Sequence, residues 1–206
     1  GIANVKLYRQ VKSDDVLCLN DSHTLEAFWI PKRYEYNGEY TFTGSNYINT
    51  GVQLFSPLMY QKNFHISFDI TEIGQLVSQV TIMNSKFENG TTWPGFVFRK
   101  HTNNEYFEIS STVSYPNNRL THERISYSTT NVDIFRVDNI IYYSLGVGED
   151  GEEYYTLQEY NDFSDFFYEP VTFGASLISG IPKRLFTGKL ANLLVEILDD
   201  DVDIIS

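Results

Sequence analysis

Asn84, Trp93, Arg99, Tyr106 and Glu108 are the residues whose types and spacing best suit a binding chemistry. Trp93 stands in Trp93-Pro94-Gly95, a turn, where a large ring is readily left at the surface. A surface ring stacks on the apolar face of a sugar, and planar amide, guanidinium and carboxylate groups fix its hydroxyls. Asn84 and Arg99 supply such groups, and Tyr106 and Glu108 add theirs across an expected hairpin. The competing role for Trp93 is to cover one end of the core. Neither role breaks a bond.

Other chemistry finds less support. Cys18, the one cysteine, sits in an apolar run with no histidine near it and is expected as a small core residue. It allows neither an internal disulfide nor a cysteine-rich zinc site. His23, His65, His101 and His122 are scattered, without metal-ligand spacing. Gly146-Val147-Gly148-Glu149-Asp150-Gly151 lacks the Lys-Ser/Thr of a phosphate loop, so a hairpin loop is expected. Calcium takes oxygen donors. Asp138 with Asn139, and Glu149 with Asp150, Glu152 and Glu153, offer them, but neither group matches a defined ligand string. Solvated loop acids are the expectation, with no metal and no cofactor.

Composition narrows the partners. The chain has 206 residues and a net charge of −12, which repels nucleic-acid backbones and anionic membrane surfaces. Hydrophobic residues make up 42% and aromatic residues 16%, with 15 Tyr and 15 Phe, enough for a sizeable core rich in strand-forming rings. No run approaches the roughly 18 apolar residues of a membrane span. The opening residues lack a charged-then-apolar leader pattern. The missing disulfide leans towards a bacterial or viral source.

The elements that must position these residues are strands. Phe64, Ile66, Phe68 and Ile70 alternate with His65, Ser67, Asp69 and Thr71, predicting a strand with one wet face. Val80 to Asn84 is a second run. Gly95 to Lys100 and Tyr106 to Val113 flank a polar loop as a hairpin. Ile125 to Ser128 is expected to pair with Val132 to Val137. Asp138-Asn139 turns into Ile140 to Leu145, and Tyr154 to Leu157 follows. Phe163, Phe166 and Phe167 sit at helical spacing in one short helix or turn. Residues 1–38, with short strands at Val5 to Arg9 and Val16 to Leu19 and a Tyr34-to-Gly38 stretch ending in a turn, are expected to form an arm or edge extension. Residues 39–198 form the main domain, and 199–206 an acidic tail. Many short strands in one domain predict an all-β fold, a two-sheet antiparallel β-sandwich of jelly-roll type.

Four segments carry a family resemblance: Tyr40 to Gly51, Phe64 to Ile70, Val132 to Tyr143 and Phe186 to Leu190. Over roughly residues 39–197 the chain resembles the concanavalin A-like lectin/glucanase superfamily, especially its laminin-G-like and pentraxin-like modules. The loops are similar in style to phage structural proteins and bacterial cell-surface proteins. The resemblance implies a scaffold that hosts lectins, glycosidases and structural modules, so it leaves function to the site. A retaining glycosidase of this superfamily would carry Glu-x-Asp-x-x-Glu on one strand, with two carboxylates on one face. This chain has no such string. Asp69-Ile70-Thr71-Glu72 and Glu196-Ile197-Leu198-Asp199 put their acids on opposite faces. The expectation is a non-enzyme at a virion or extracellular surface, partnered by glycans or other virion or surface proteins, with room for an oligomer. A glycoside hydrolase with an unrecognised carboxylate pair is the alternative.

Overall fold

The computed structural model describes residues 15–19, 27–56, 62–74, 79–85, 95–100, 106–112, 120–126, 131–138, 140–144, 154–159 and 169–198. Of these, 15–19, 27–30, 106, 110–112, 120–126 and 154–159 are described by their backbone alone. The expected strand at Val5 to Arg9, the helix around Phe163, the loop at 146–151 and the acidic tail lie outside this set.

Every pairing among the described residues is antiparallel. β1 (Asp15–Leu19) and β2 (Ala27–Pro31) form a two-stranded ladder, with Pro31 at its last position. In chain order there follow β3 (Arg33–Thr43), β4 (Ile48–Asn49), β5 (Phe64–Ile73), β6 (Val80–Asn84), β7 (Gly95–Lys100) and β8 (Tyr106–Thr112). Next come β9 (Leu120–Ser126), β10 (Asn131–Val137), β11 (Ile140–Ser144) and β12 (Tyr154–Glu159). The last are β13 (Thr172–Phe173), β14 (Ser176–Ile178), β15 (Ile181–Lys183) and β16 (Thr187–Ile197). The first sheet runs β12-β11-β10-β5-β16-β3, the second β4-β13-β6-β7-β8-β9, and β14 and β15 form a small hairpin.

The two large sheets pack face to face as a β-sandwich. Phe64, Ile66, Phe68 and Ile70 of β5 are buried, as the alternation predicts, and His65, Ser67 and Asp69 face outward. Phe64 stacks on Phe96 at 5.6 Å between ring centres, while Phe68 meets Phe98 and Phe173 edge-on, each at 5.6 Å. Each such ring contributes about 1.5–3 kcal/mol through burial. Phe55 closes one end against Phe64 and Phe96.

β16 shows how sequence spacing forces local structure. Its buried residues Leu190, Leu193, Val195 and Ile197 step by three and then by two. A regular strand alternates by two. The register breaks between Ala191 and Leu193, and Asn192 takes a left-handed φ of 51° there, so Leu193 turns inward.

Two pairings differ from expectation. β9 pairs with β8 in the second sheet, and β10 pairs with β5 and β11 in the first, so Ile125 and Val132 belong to different layers. Apolar content alone does not say which sheet a strand joins. Asn37-Gly38 forms no turn; it lies inside β3, where the β3–β16 register shifts, and the strand starts at Arg33. Backbone pairing to β16 overrides the turn preference of that dipeptide.

Candidate functional site

The outer face of the second sheet holds the polar groups singled out above. On β7, Phe96 and Phe98 enter the core, so Arg99 faces outward; on β8, Phe107 and Ile109 do the same for Glu108. The register sets Arg99 directly opposite Glu108. Arg99 Nε donates to Glu108 Oε1 at 2.8 Å, and Nη2 approaches the same oxygen at 2.6 Å. The two side chains are 14% and 9% exposed. A charge pair this shielded is held far more firmly than one in bulk water.

The same face continues onto β6. Thr81 lies opposite Arg99, and Asn84 opposite Val97 and Thr172. Thr81, Asn84 and Thr172 are fully buried. The β14–β15 segment covers part of them: the Thr81 and Ser176 hydroxyls meet at 2.8 Å, and Thr81 N donates to Arg184 O. The structure thus brings Asn84, Arg99 and Glu108 onto one face and joins the last two directly. Tyr106 opens β8 opposite Ser126, and Trp93 lies outside the described residues.

A second polar cluster occupies the outer face of the first sheet. His65 Nε2 and Asp133 Oδ1 are 2.8 Å apart, and His65 Nδ1 lies 3.7 Å from Glu196. Glu196 pairs with Arg33, which also pairs with Glu35. The His65 ring stacks on Phe135 at 4.2 Å, nearly parallel. Each ring therefore turns one face to the other. Asp69 accepts from the Asn131 amide at 2.8 Å and the Asn192 amide at 2.6 Å. Nearby, Lys189 bridges Glu72 and Glu39, and the Thr71 hydroxyl donates to Glu39; the register shift between Lys189 and Leu190 puts Glu72 on the same outer face as Asp69, against the expected alternation. Sequence reasoning missed these clusters. Alternation set His65 and Asp69 on a wet face, but the strands supplying Asp133, Asn131, Glu196 and Asn192 are distant in sequence.

Among the described residues, both clusters hold and orient their own side chains. Ser67 shares the outer face with His65, yet no hydrogen bond joins them among the described residues. Among those residues no group of three His, Cys, Asp or Glu side chains is placed to hold a metal ion. Asp138 sits at a left-handed turn with φ 54°, and its carbonyl accepts from Arg136 Nε at 2.9 Å. A buried guanidinium at that carbonyl opposes a cation there. Asn139 and residues 149–153 lie outside the described set.

No family model matches the sequence, and neither does any curated protein. Similar solved structures do exist. The CBM40 of a Ruminococcus gnavus IT-sialidase, solved with alpha2,3 sialyllactose, aligns over 82% of this chain and 93% of its own at 14% identity and TM-score 0.42. The CBM2 module of the evolved Dit of Lactobacillus casei BL23 phage J-1 aligns over 81% and 70% at 12% identity and TM-score 0.40. The binding domain of botulinum neurotoxin serotype D/C aligns over 91% of this chain and 50% of its own at 13% identity and TM-score 0.45.

Proposed function

We infer that this chain is a non-catalytic recognition module of concanavalin A-like jelly-roll type, carried by a phage virion (capsid decoration, fibre or tail) or a bacterial surface protein. It binds glycans, docks onto its assembly, or does both. The carrying observation is the Arg99–Glu108 pair, which shares one sheet face with Asn84. A guanidinium already oriented by a carboxylate meets a sugar without the cost of first ordering a long side chain. With a net charge of −12, the molecule favours neutral glycans over anionic ones.

A glycan array spanning neutral and acidic sugars tests this, with Arg99→Lys as the matched variant. The expected result is a neutral glycan bound by the native protein and held about tenfold more weakly by the variant, since Lys lacks the fork. No binder at millimolar protein would overturn the glycan half. Docking would then be tested by what co-elutes from the native source.

A further inference from the structure

An asparagine can react with its own backbone when the next nitrogen is unhindered, the chain can bend that nitrogen towards the side-chain amide, and water is at hand. A regular strand denies the bend, because its ladder holds the backbone extended and the side chain off the sheet. A bulge interrupts the ladder. The β3–β16 register passes from Glu39 opposite Ala191 to Tyr36 opposite Leu193, so Asn37 and Gly38 together face the single residue Asn192. Gly38 takes a φ of 156°, which L side chains rarely adopt, so the bulge calls for glycine. Glycine in turn has no Cβ to shield its nitrogen. Asn37 is exposed, and its one hydrogen bond among the described residues runs from Nδ2 to Glu35 Oε1 at 3.2 Å. The other asparagines of the described residues are each followed by a residue with a Cβ. They are also better held. Asn46, Asn49 and Asn63 accept backbone N–H groups, Asn131 and Asn192 donate to Asp69, and Asn84 is buried.

We propose that Asn37 is a self-modifying site, converted to a mixture of aspartyl and isoaspartyl residues in the folded protein. This stands apart from the glycan reading and uses none of its residues. The Gly38 backbone nitrogen gives up its proton and attacks Asn37 Cγ. A Cγ–N bond forms, the Cγ–Nδ2 bond breaks, and the amide nitrogen leaves as ammonia, which takes the proton. Water then opens the cyclic imide at either carbonyl. Opening at one restores the ordinary chain with an aspartate. Opening at the other routes the backbone through Cβ and leaves the α-carboxylate free. In sum, one amide and one water become one acid and one ammonia, and nothing is oxidised. Either product replaces a neutral amide that donates to Glu35 with a carboxylate that repels it, on a strand that also carries Glu39. The isoaspartyl product adds a methylene to the backbone at the point where β3 already holds an extra residue. Loss of ammonia makes the change one-way.

Peptide mapping by mass spectrometry tests the proposal on the whole chain, aged folded in mildly alkaline buffer, with Asn37→Gln as the variant. Asn37 is exposed with a single hydrogen bond, so this change does not threaten the fold. Acid at position 37 should accumulate about tenfold faster than at any other asparagine of the described residues. Labelling with an isoaspartyl methyltransferase should mark the same peptide, and Asn37→Gln should lose both signals there. The rate should climb with pH, because the Gly38 nitrogen attacks as its anion. No product at Asn37 in the folded chain would overturn the proposal, and formation in urea alone would show that the strand shields the site. Aspartyl product without isoaspartyl, or a rate flat in pH, would also overturn it, since direct hydrolysis would then bypass the ring.

Discussion

Glu39 and Lys189 show how one surface contact ties two pH limits together. The Thr71 hydrogen bond, then the Lys189 ammonium, holds Glu39 below its ordinary 4.5. Glu72 first, then Glu39, holds Lys189 above its ordinary 10.5. A lowered acid stabilises the fold above its unfolded pKa, and that contribution fades as pH falls through the folded value. A raised base stabilises below its unfolded pKa and fades as pH rises through the folded value. Both groups are solvent-exposed, so the gain is small and salt-sensitive. Thr71→Ala should move the Glu39 midpoint up, and Glu72→Gln should move the Lys189 midpoint down, in an NMR titration. Unmoved midpoints would mean the bonds do not persist in solution. At this scale the sequence was half legible. The expected hairpin set Arg99 and Glu108 on facing strands, and the ion pair between them came only with the register. The His65–Asp133 and Asp69–Asn192 contacts were invisible, because they depend on strands meeting across long stretches of chain.

Elements depend on backbone space as well as on apolar pattern. Gly174 has a left-handed φ of 84°, and a Cβ there would lie 2.3 Å from Phe42 Cδ1, a buried ring held between Tyr40 and Phe186. Gly180 also has positive φ, at 75°, in the tight turn joining β14 to β15, yet a Cβ would meet nothing within 4 Å. The two sites separate conformational strain from overpacking. Gly180→Ala should cost about 1 kcal/mol, from φ alone. Gly174→Ala should cost about 2–4 kcal/mol, since Phe42 must also move. Urea unfolding of both variants checks this, and equal losses would refute the steric argument. Hairpins such as β7–β8 and β10–β11 were readable because their partners are sequence neighbours. The β9–β10 pairing misled because adjacent apolar runs are the default partners, while here the chain changes sheets between them.

Across the whole molecule, the decisive pairings are long-range. β16 is flanked by β3 and β5, joining the last described strand to early ones. Loops that long must close before their contacts repay the lost entropy, which slows folding. Refolding from urea, followed by intrinsic fluorescence, should take roughly milliseconds to seconds. Microsecond refolding would show that local hairpins carry more of the barrier than this topology implies. The fold class followed from strand count and alternation, whereas the order of strands in each sheet did not, since alternation marks which face is wet and says nothing of neighbours.

One further property follows from how β3 and β16 lie. Ile197 N donates to Lys32 O, and Arg33 faces Glu196, so the first rung of β3 and the last rung of β16 are the same rung. A tensile force applied at Lys32 and Leu198 would load that single rung and then the next, as a zipper opens. The strands would never share the load in shear. Pulled along this axis, the β3–β16 pair is expected to peel rung by rung, at lower force than shearing the same ladder would need.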